Sequence, residues 1–186
     1  MKRVVTVAVI IVALAAIAQA QSSRPASFYV GAGISPISGD YGKAWKMGFH
    51  GSLGVGITVA PSLQIVPKVE YHAFPLDKQG YPVSGGTLST MMFGGDVRYQ
   101  LGLRDASARP MILGGIGMAR ASVSTLTGGG ESFSFGSETK VYFEFGGGVV
   151  FKAGPSTKVF VTVRYTSVAL TGESFNYIPI TLGLVF

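Results

Sequence analysis

The sequence predicts an all-β fold in which eight antiparallel strands run up and down and close into a barrel. Three observations predict it. Eight segments alternate large apolar residues with small or polar ones, and this period of two is typical of a strand whose faces meet different environments. Short and long connections alternate between the segments, as in a meander with two unlike ends. No segment shows a helical period of comparable quality.

The chain begins with a segment that has the layout of a secretory signal peptide. A basic start is followed by an apolar run at residues 4–18 and by the small-x-small sequence AQA. A membrane-anchoring helix is the alternative, but the run is shorter than the roughly 20 apolar residues that a spanning helix needs. We therefore expect a cleaved signal peptide at residues 1–20 and one barrel domain at residues 21–186.

The composition excludes several classes of protein. The net charge is +6, but Lys and Arg are not clustered as they usually are in nucleic-acid binders, so we expect no nucleic-acid partner. Only 13% of the residues are charged, against roughly 25% in ordinary soluble domains. The chain has no cysteine, which excludes a disulfide framework and a cysteine-linked lipid. An average soluble domain and a helical membrane protein both fit poorly.

The first four predicted strands alternate without a break. They read FYVGAGIS (28–35), MGFHGSLGVGITVA (47–60), LQIVPKVEYHAF (63–74) and STMMFGGDVRYQL (89–101). In the second strand, Leu53 and Val55 alternate with Gly54 and Gly56. One face of each strand is therefore apolar, and the other is small or polar.

The last four predicted strands differ in quality. They read PMILGGIGMARAS (110–122), KVYFEFGGGVVF (140–151), VFVTVRYTSV (159–168) and YIPITLGLVF (177–186). The sixth is clear, because Phe143 and Phe145 alternate with Tyr142 and Glu144. The fifth is the weakest, because both of its faces are apolar or glycine and a bulge could shift its phase.

The long connections are predicted to lie at one end of the barrel and to face outward. They cover residues 36–44, 75–86, 122–137 and 171–176. The second and third of these are rich in Gly, Ser and Thr and carry isolated aromatic residues, namely Tyr81, Phe133 and Phe135. Loops on a rigid scaffold are the usual place for recognition, so these loops are candidates for binding an extracellular ligand, although no motif identifies it. The alternative is that they form a hydrophilic cover for the mouth of the barrel.

Two secreted barrels fit this pattern: a soluble lipocalin-like carrier with an apolar interior, and a membrane-spanning barrel with an apolar exterior. Three features favour the second. The face opposite the apolar one is mostly Gly, Ser and Thr, as a narrow, filled lumen requires. The last strand ends on the apolar Phe186. Aromatic residues gather near strand ends, where interfacial girdles lie: Phe28, Trp45, Tyr71, Phe74, Tyr99, Phe151, Phe175, Tyr177 and Phe186.

The signal peptide, the eight strands and the ending YIPITLGLVF resemble the OmpA/OmpX-like family of outer-membrane β-barrels. The resemblance implies an eight-stranded transmembrane barrel in the outer membrane, surrounded by its lipid and most often monomeric. It also implies delivery by periplasmic chaperones and the barrel-assembly machinery. A C-terminal assembly signal is then expected at Tyr177, Leu182, Leu184 and Phe186.

The predicted phase places a set of ionisable residues in the lumen: Lys68, Glu70, His72, Asp96, Arg98, Glu144 and Arg164. Enclosed charges must be paired or hydrated, so we expect a structural network that fills the lumen and fixes the strand register. The alternative is a narrow gated ion path, as in family members whose lumen pairs exchange partners. A metal site at His72, Glu70 and Glu144 is less expected, since it offers one His and no Cys. We expect no cofactor.

A lipid-modifying enzyme is the third interpretation. His50-Gly51-Ser52 resembles the His-x-Ser pair of outer-membrane lipid A deacylases, and the spacing puts both side chains on one face. However, that face is the lumen, the pair lies early in the chain, and no acid lies nearby to orient His50. We therefore predict that the protein is not an enzyme and that it has a structural or surface-interaction role.

Overall fold

The computed structural model describes residues 26–77, 83–103, 106–128, 131–133 and 136–186. The predicted signal peptide at residues 1–20 lies outside the described residues. Within the described part of the chain, no helix is both long enough and apolar enough to cross a membrane. A single turn of 3-10 helix, Asp40–Lys43, follows the first strand.

Eight long strands form the barrel. They are β1 (Ala26–Ser35), β2 (Gly48–Ala60), β3 (Leu63–Pro75), β4 (Thr87–Gln100), β5 (Ala108–Val123), β6 (Ser137–Lys152), β7 (Lys158–Ala169) and β8, which has two segments, Ser174–Tyr177 and Ile180–Val185. Each strand pairs antiparallel with its neighbours in sequence, and β1 pairs with β8 from Tyr29↔Val185 to Ile34↔Ile180. The barrel is therefore closed, and the predicted fold class is confirmed.

The alternation of apolar and small residues separates the outer face of the barrel from the lumen. In β2, for example, Leu53 is 61% exposed on the outside, whereas His50 is buried inside. Strand β5 keeps one phase along its described length, because its register with β4 and β6 is continuous. The irregularity lies instead between Thr58 and Ala60, where β2 turns into β3. The predicted apolar faces are thus the outer faces.

Proline interrupts the strands where β1 and β8 leave the barrel wall. Pro36 follows β1, and Pro179 separates the two segments of β8; neither residue has a backbone N–H to donate. The chain continues beyond both breaks, with Ile37–Ser38 pairing with Asn176 and Tyr177. The eighth strand therefore begins at Ser174, three residues before the predicted start.

The long connections also contain strands. Val83–Gly85, Leu126–Gly128 and Glu131–Phe133 form a small antiparallel sheet that joins the β3–β4 connection to the β5–β6 connection. Phe133 is 55% exposed in this sheet. Two other loop aromatics named above, Tyr81 and Phe135, lie outside the described residues.

The predicted aromatic girdle is correct for some residues and wrong for others. Five of the nine are exposed on the outer face: Phe28, Tyr71, Tyr99, Phe151 and Phe186. Phe74, Phe175 and Tyr177 are fully buried inside the barrel, and Trp45 packs partly buried against them. Nearness to a strand end was the wrong criterion, since Phe74 has the same phase as the inward-facing His72.

Candidate functional site: the charged lumen

The lumen has three layers. A layer of paired charges lies between two clusters of apolar side chains, one towards the long loops and one towards the short turns. Each layer is built from the inward-facing residues of several strands, and each arises from the period-two phase described above. The charged layer contains three cations, three carboxylates and two histidines, with the side chains of Lys68, Glu70, Asp96 and Arg164 almost completely buried.

Lys68 lies at the centre of the charged layer. Its Nζ is 3.1 Å from Glu70 Oε2 and 3.2 Å from Asp96 Oδ1, and it also pairs with Glu144 Oε1. Asp96 and Glu144 lie in one register row, separated only by Gly115 of β5. Two carboxylates this close repel each other, and the shared ammonium group offsets that repulsion.

Arg164 is the second centre of the layer. Its Nη1 is 2.8 Å from Glu70 Oε1 and 3.1 Å from Glu144 Oε1, while Nη2 donates to Thr181 Oγ1 at 3.2 Å. These contacts connect β7 to β3, β6 and β8. Since buried carboxylates need a partner to stay charged, Arg164 and Lys68 together stabilise both glutamates.

Arg98 connects the charged layer to the cluster nearer the short turns. Its Nη2 is 3.0 Å from Asp96 Oδ2, and its guanidinium carbon lies 4.4 Å from the ring centre of Tyr29, a cation–π contact. Tyr29 donates to Gln64 Oε1 at 2.6 Å and packs edge-on against Phe160. The polar and apolar layers are therefore in direct contact.

Two histidines form the opposite edge of the charged layer. The rings of His50 and His72 stack with centroids 4.9 Å apart, and the Nδ1 atoms lie 2.9 and 3.0 Å from Ser35 Oγ. One hydroxyl can donate to one imidazole nitrogen and accept from the other, so Ser35 can serve both rings. His50 Nε2 is 2.9 Å from Thr181 Oγ1, which connects the pair to Arg164.

Apolar side chains close the lumen on both sides of the charges. The cluster towards the long loops contains Phe74, Leu88, Met92, Ala119, Ala121, Tyr142, Val168, Phe175 and Tyr177, with Ile37, Tyr41 and Trp45 of the first loop packed against it. The cluster towards the short turns contains Tyr29, Val66, Met111, Leu113, Val150, Phe160 and Val185. An ion entering from either end would meet a cluster of buried apolar side chains.

A cavity of about 10 Å³ is lined by Lys68, Glu70, Arg98, Arg164 and neighbouring residues, which is room for about one water molecule. Glycine residues on the inward face of the strands make room for the larger side chains in the lumen. A Cβ added to Gly115 would collide with the carboxylate of Asp96, and one added to Gly94 would collide with the Tyr142 hydroxyl.

The structure places all seven predicted lumen residues inside and brings them into one connected network. Ser35 and Thr181 are not among the predicted lumen residues, although both are buried on the inward-facing side of their strands. Of the predicted assembly signal, Leu182, Leu184 and Phe186 face outward, whereas Tyr177 faces the lumen and donates to Met92 Sδ at 2.9 Å. The role of these four residues in assembly stays a prediction.

The three residues weighed above as a less expected metal site contact other side chains. Glu70 and Glu144 bind Lys68 and Arg164, while His72 Nε2 lies 3.8 Å from Glu70 Oε2. Among the residues that the structure describes, no group of three or more His, Asp or Glu side chains is arranged to hold a metal ion.

Together, the closed barrel, its apolar outer face and its filled polar lumen define a membrane-spanning β-barrel of eight strands. A scan against protein families matches residues 6–186 to the outer membrane protein beta-barrel domain family. The chain belongs to this family, and the resemblance inferred from the sequence is confirmed. The comparison with curated protein sequences gave no match.

Solved structures with the same fold support the assignment. Neisserial surface protein A (NspA) is 15% identical, covers 88% of this chain and 98% of its own, and has a TM-score of 0.65. Ail, the attachment invasion locus protein of Yersinia pestis, is 14% identical, with coverage of 87% and 97% and a TM-score of 0.54. A major outer membrane protein from Thermus thermophilus is 13% identical, with coverage of 87% and 99% and a TM-score of 0.60.

Proposed function

We propose that this outer-membrane barrel does not conduct ions and has a structural or surface-interaction role. The observation that carries the proposal is the layering of the lumen. Three cations and three carboxylates neutralise one another between two apolar clusters, and a cavity that several of them line has room for about one water molecule. A conducting pore needs a continuous hydrated path, which this filling opposes.

The long-loop end supports the surface-interaction part of the proposal. The sheet formed by Val83–Gly85, Leu126–Gly128 and Glu131–Phe133 gives two of the loops a defined backbone instead of separate flexible tips. Recognition residues commonly lie on loops that a rigid scaffold holds in place. NspA and Ail, which share the fold, are a surface protein and an attachment protein by name.

Single-channel recording of the refolded chain in planar bilayers tests the proposal. A shift between heated and unheated gel samples first establishes that the barrel is folded. We expect a folded barrel that shows no discrete conductance steps. Conductance steps that change size in Arg98→Ala or Glu144→Ala would overturn the proposal and place the function in the lumen.

A gated ion path is the second candidate, and one observation favours it. Lys68 contacts three carboxylates at once, and Arg164 contacts two of them, so the ion pairs can exchange partners through small side-chain movements. The two apolar clusters would still have to open. Rare, brief conductance steps that become more frequent in Lys68→Gln would favour this candidate.

We also propose that the protein is not a lipid-modifying enzyme. The two ring nitrogens of His50 lie near Ser35 and Thr181, and the Ser52 hydroxyl donates to the backbone oxygen of Gly31 at 3.4 Å. Both side chains also face the lumen instead of the membrane. Fatty-acid release from lipid A by the folded chain, abolished by Ser52→Ala, would contradict this.

A further inference from the structure

The two histidines of the charged layer belong to a longer series of polar contacts, which crosses the seam where β1 meets β8. Arg164 Nη2 donates to Thr181 Oγ1 at 3.2 Å, and Thr181 Oγ1 lies 2.9 Å from His50 Nε2. Ser35 Oγ follows, at 2.9 Å from His50 Nδ1 and 3.0 Å from His72 Nδ1. Side chains of β7, β8, β2, β1 and β3 are therefore connected in one series, which we call the histidine network.

Glu70 brings the series back to its start. Arg164 Nη1 is 2.8 Å from Glu70 Oε1, and His72 Nε2 lies 3.8 Å from Glu70 Oε2. The second separation is longer than a hydrogen bond, and His72 Nε2 is buried without a hydrogen-bond partner. A small movement of His72 or Glu70 would close the series into a ring.

The chemistry of the two ends gives the hydrogen bonds of the histidine network one direction. Arginine can only donate, so Thr181 Oγ1 accepts from Arg164 and has its own proton to donate to His50 Nε2. His50 then carries its proton on Nδ1 and donates to Ser35, whose hydroxyl donates to His72 Nδ1. The proton of His72 is left on Nε2, and it faces a carboxylate that can only accept. Both ends therefore require the same direction.

This arrangement requires both imidazoles to be neutral and to be opposite tautomers. Each ring then has one nitrogen that donates and one that accepts, as a neutral imidazole provides. A proton added to either ring converts its accepting nitrogen into a second donor. That nitrogen then faces the hydroxyl of Thr181 or Ser35, which already donates to it, so the hydrogen bond is lost.

The surrounding charges also oppose a proton on either ring. The charged and titratable side chains that face the pair are Lys68 and Glu70 of β3, Arg164 of β7 and Tyr177 of β8. Strands β1 and β4 contribute the neutral hydroxyls of Ser35 and Thr90. Two cations therefore face one carboxylate, and both rings are buried. A third positive charge would have no carboxylate of its own, which is costly in a buried site.

We propose that the histidine network is a pH-sensitive closure of the seam between β1 and β8, intact while both imidazoles are neutral and broken when either ring takes up a proton. Gly33 of β1 allows the closure, because it lies between His50 and Thr181 in the register, and a Cβ there would collide with the His50 ring. The barrel should therefore loosen at this seam as the pH falls. The proposal is independent of whether the lumen conducts.

Nitrogen-15 NMR of the full barrel, folded in detergent micelles with labelled histidine, tests the direction of the hydrogen bonds. At about pH 8, where a free histidine is neutral, we expect His50 to carry its proton on Nδ1 and His72 on Nε2. The variant His50→Gln identifies the signals of each ring. The same tautomer on both rings, or a charged ring at this pH, would overturn the proposal.

Two serine variants provide a matched comparison in the same NMR experiment. Ser35→Ala removes the hydroxyl between the two rings and should change the tautomer populations of both. Ser52→Ala removes a hydroxyl on the same face of β2 that donates to the backbone oxygen of Gly31 instead, so the tautomers should stay as in the wild type. Equal effects of the two variants would contradict the assigned direction.

Urea unfolding in lipid vesicles between about pH 8 and about pH 5.5 tests the response to protons. A histidine of the unfolded chain binds a proton below about pH 6.5, and a proton bound only by the unfolded state favours unfolding. The equilibrium constant for unfolding of the wild type should therefore rise about tenfold for each histidine over this range. H50Q/H72Q lacks both imidazoles but keeps every carboxylate, so its equilibrium constant should change much less. A wild type that is equally stable at both pH values, or a double variant with the wild-type pH response, would overturn the proposal.

Discussion

Replacement of Arg164 by Ala should destabilise the barrel strongly. The substitution removes the guanidinium that contacts Glu70 and Glu144, and it leaves Lys68 as the cation that contacts both carboxylates. The charged layer also changes from neutral to a net charge of −1. Loss of one partner from a buried ion pair typically costs about 3–5 kcal/mol, because the remaining charge stays buried without compensation.

The size of this destabilisation depends on the burial of the ion pair, so an exposed arginine provides the control. Arg120 lies on the outer face near the long loops, and its Nη2 donates to Ser137 Oγ at 3.0 Å. A solvent-exposed hydrogen bond of this kind contributes little, and Arg120→Ala should change the free energy of unfolding by less than about 0.5 kcal/mol. Urea unfolding of both variants in lipid vesicles, followed by far-UV circular dichroism, measures the difference.

A double variant separates lost charge balance from lost packing. Arg164→Ala combined with Glu144→Gln returns the charged layer to neutrality while leaving the same space where the arginine was. The double variant should therefore be more stable than Arg164→Ala alone. Equal urea midpoints for Arg164→Ala and the wild type, or a double variant no better than the single one, would refute the account of the network.

Three further substitutions test the outer face, the cluster towards the long loops and the histidine pair by the same urea unfolding. Leu53→Arg should lower the free energy of unfolding by roughly 2–4 kcal/mol, because the charge would meet hydrocarbon. Leu103→Arg, on an exposed turn, is the control and should change it little. Phe74→Ala should cost about 3–5 kcal/mol through the cavity it leaves in the apolar cluster, and an equal effect of Phe133→Ala would contradict this. Ser35→Ala should cost about 1–3 kcal/mol, because both buried imidazoles lose the hydroxyl that they share; an unchanged midpoint would show that they find another partner.

The outer face and the set of lumen residues could be predicted because both depend on a single quantity, the phase of a period-two pattern. When Leu53 faces outward, the alternation fixes which side every other residue of its strand faces. In each of the other strands, the apolar face identifies the outward side in the same way. Even the uncertain β5 keeps one phase, since its glycines continue the ladder without a bulge.

The pairing inside the lumen could not be predicted because it depends on register and shear. Asp96 and Glu144 come close because both are paired with Gly115, on the strand between them. The sequence does not show this pairing, because it does not give the register of the strands. The contact of Lys68 with Glu144 crosses the lumen and skips two strands. The loop sheet was also invisible, because strands of three residues are too short to show a period.

The misplaced aromatic residues explain why the lumen is closed at the long-loop end. Nearness to a strand end predicts that Phe74 and Tyr177 lie at the interface, but their phase points inward, and the structure follows the phase. An aromatic ring at the end of an inward-facing row meets rings from the neighbouring rows, here Phe74, Phe175 and Tyr177 with centroids 5.0–5.2 Å apart. Aromatic residues in that position close a narrow barrel at the long-loop end, so a partner on that side would contact the loops.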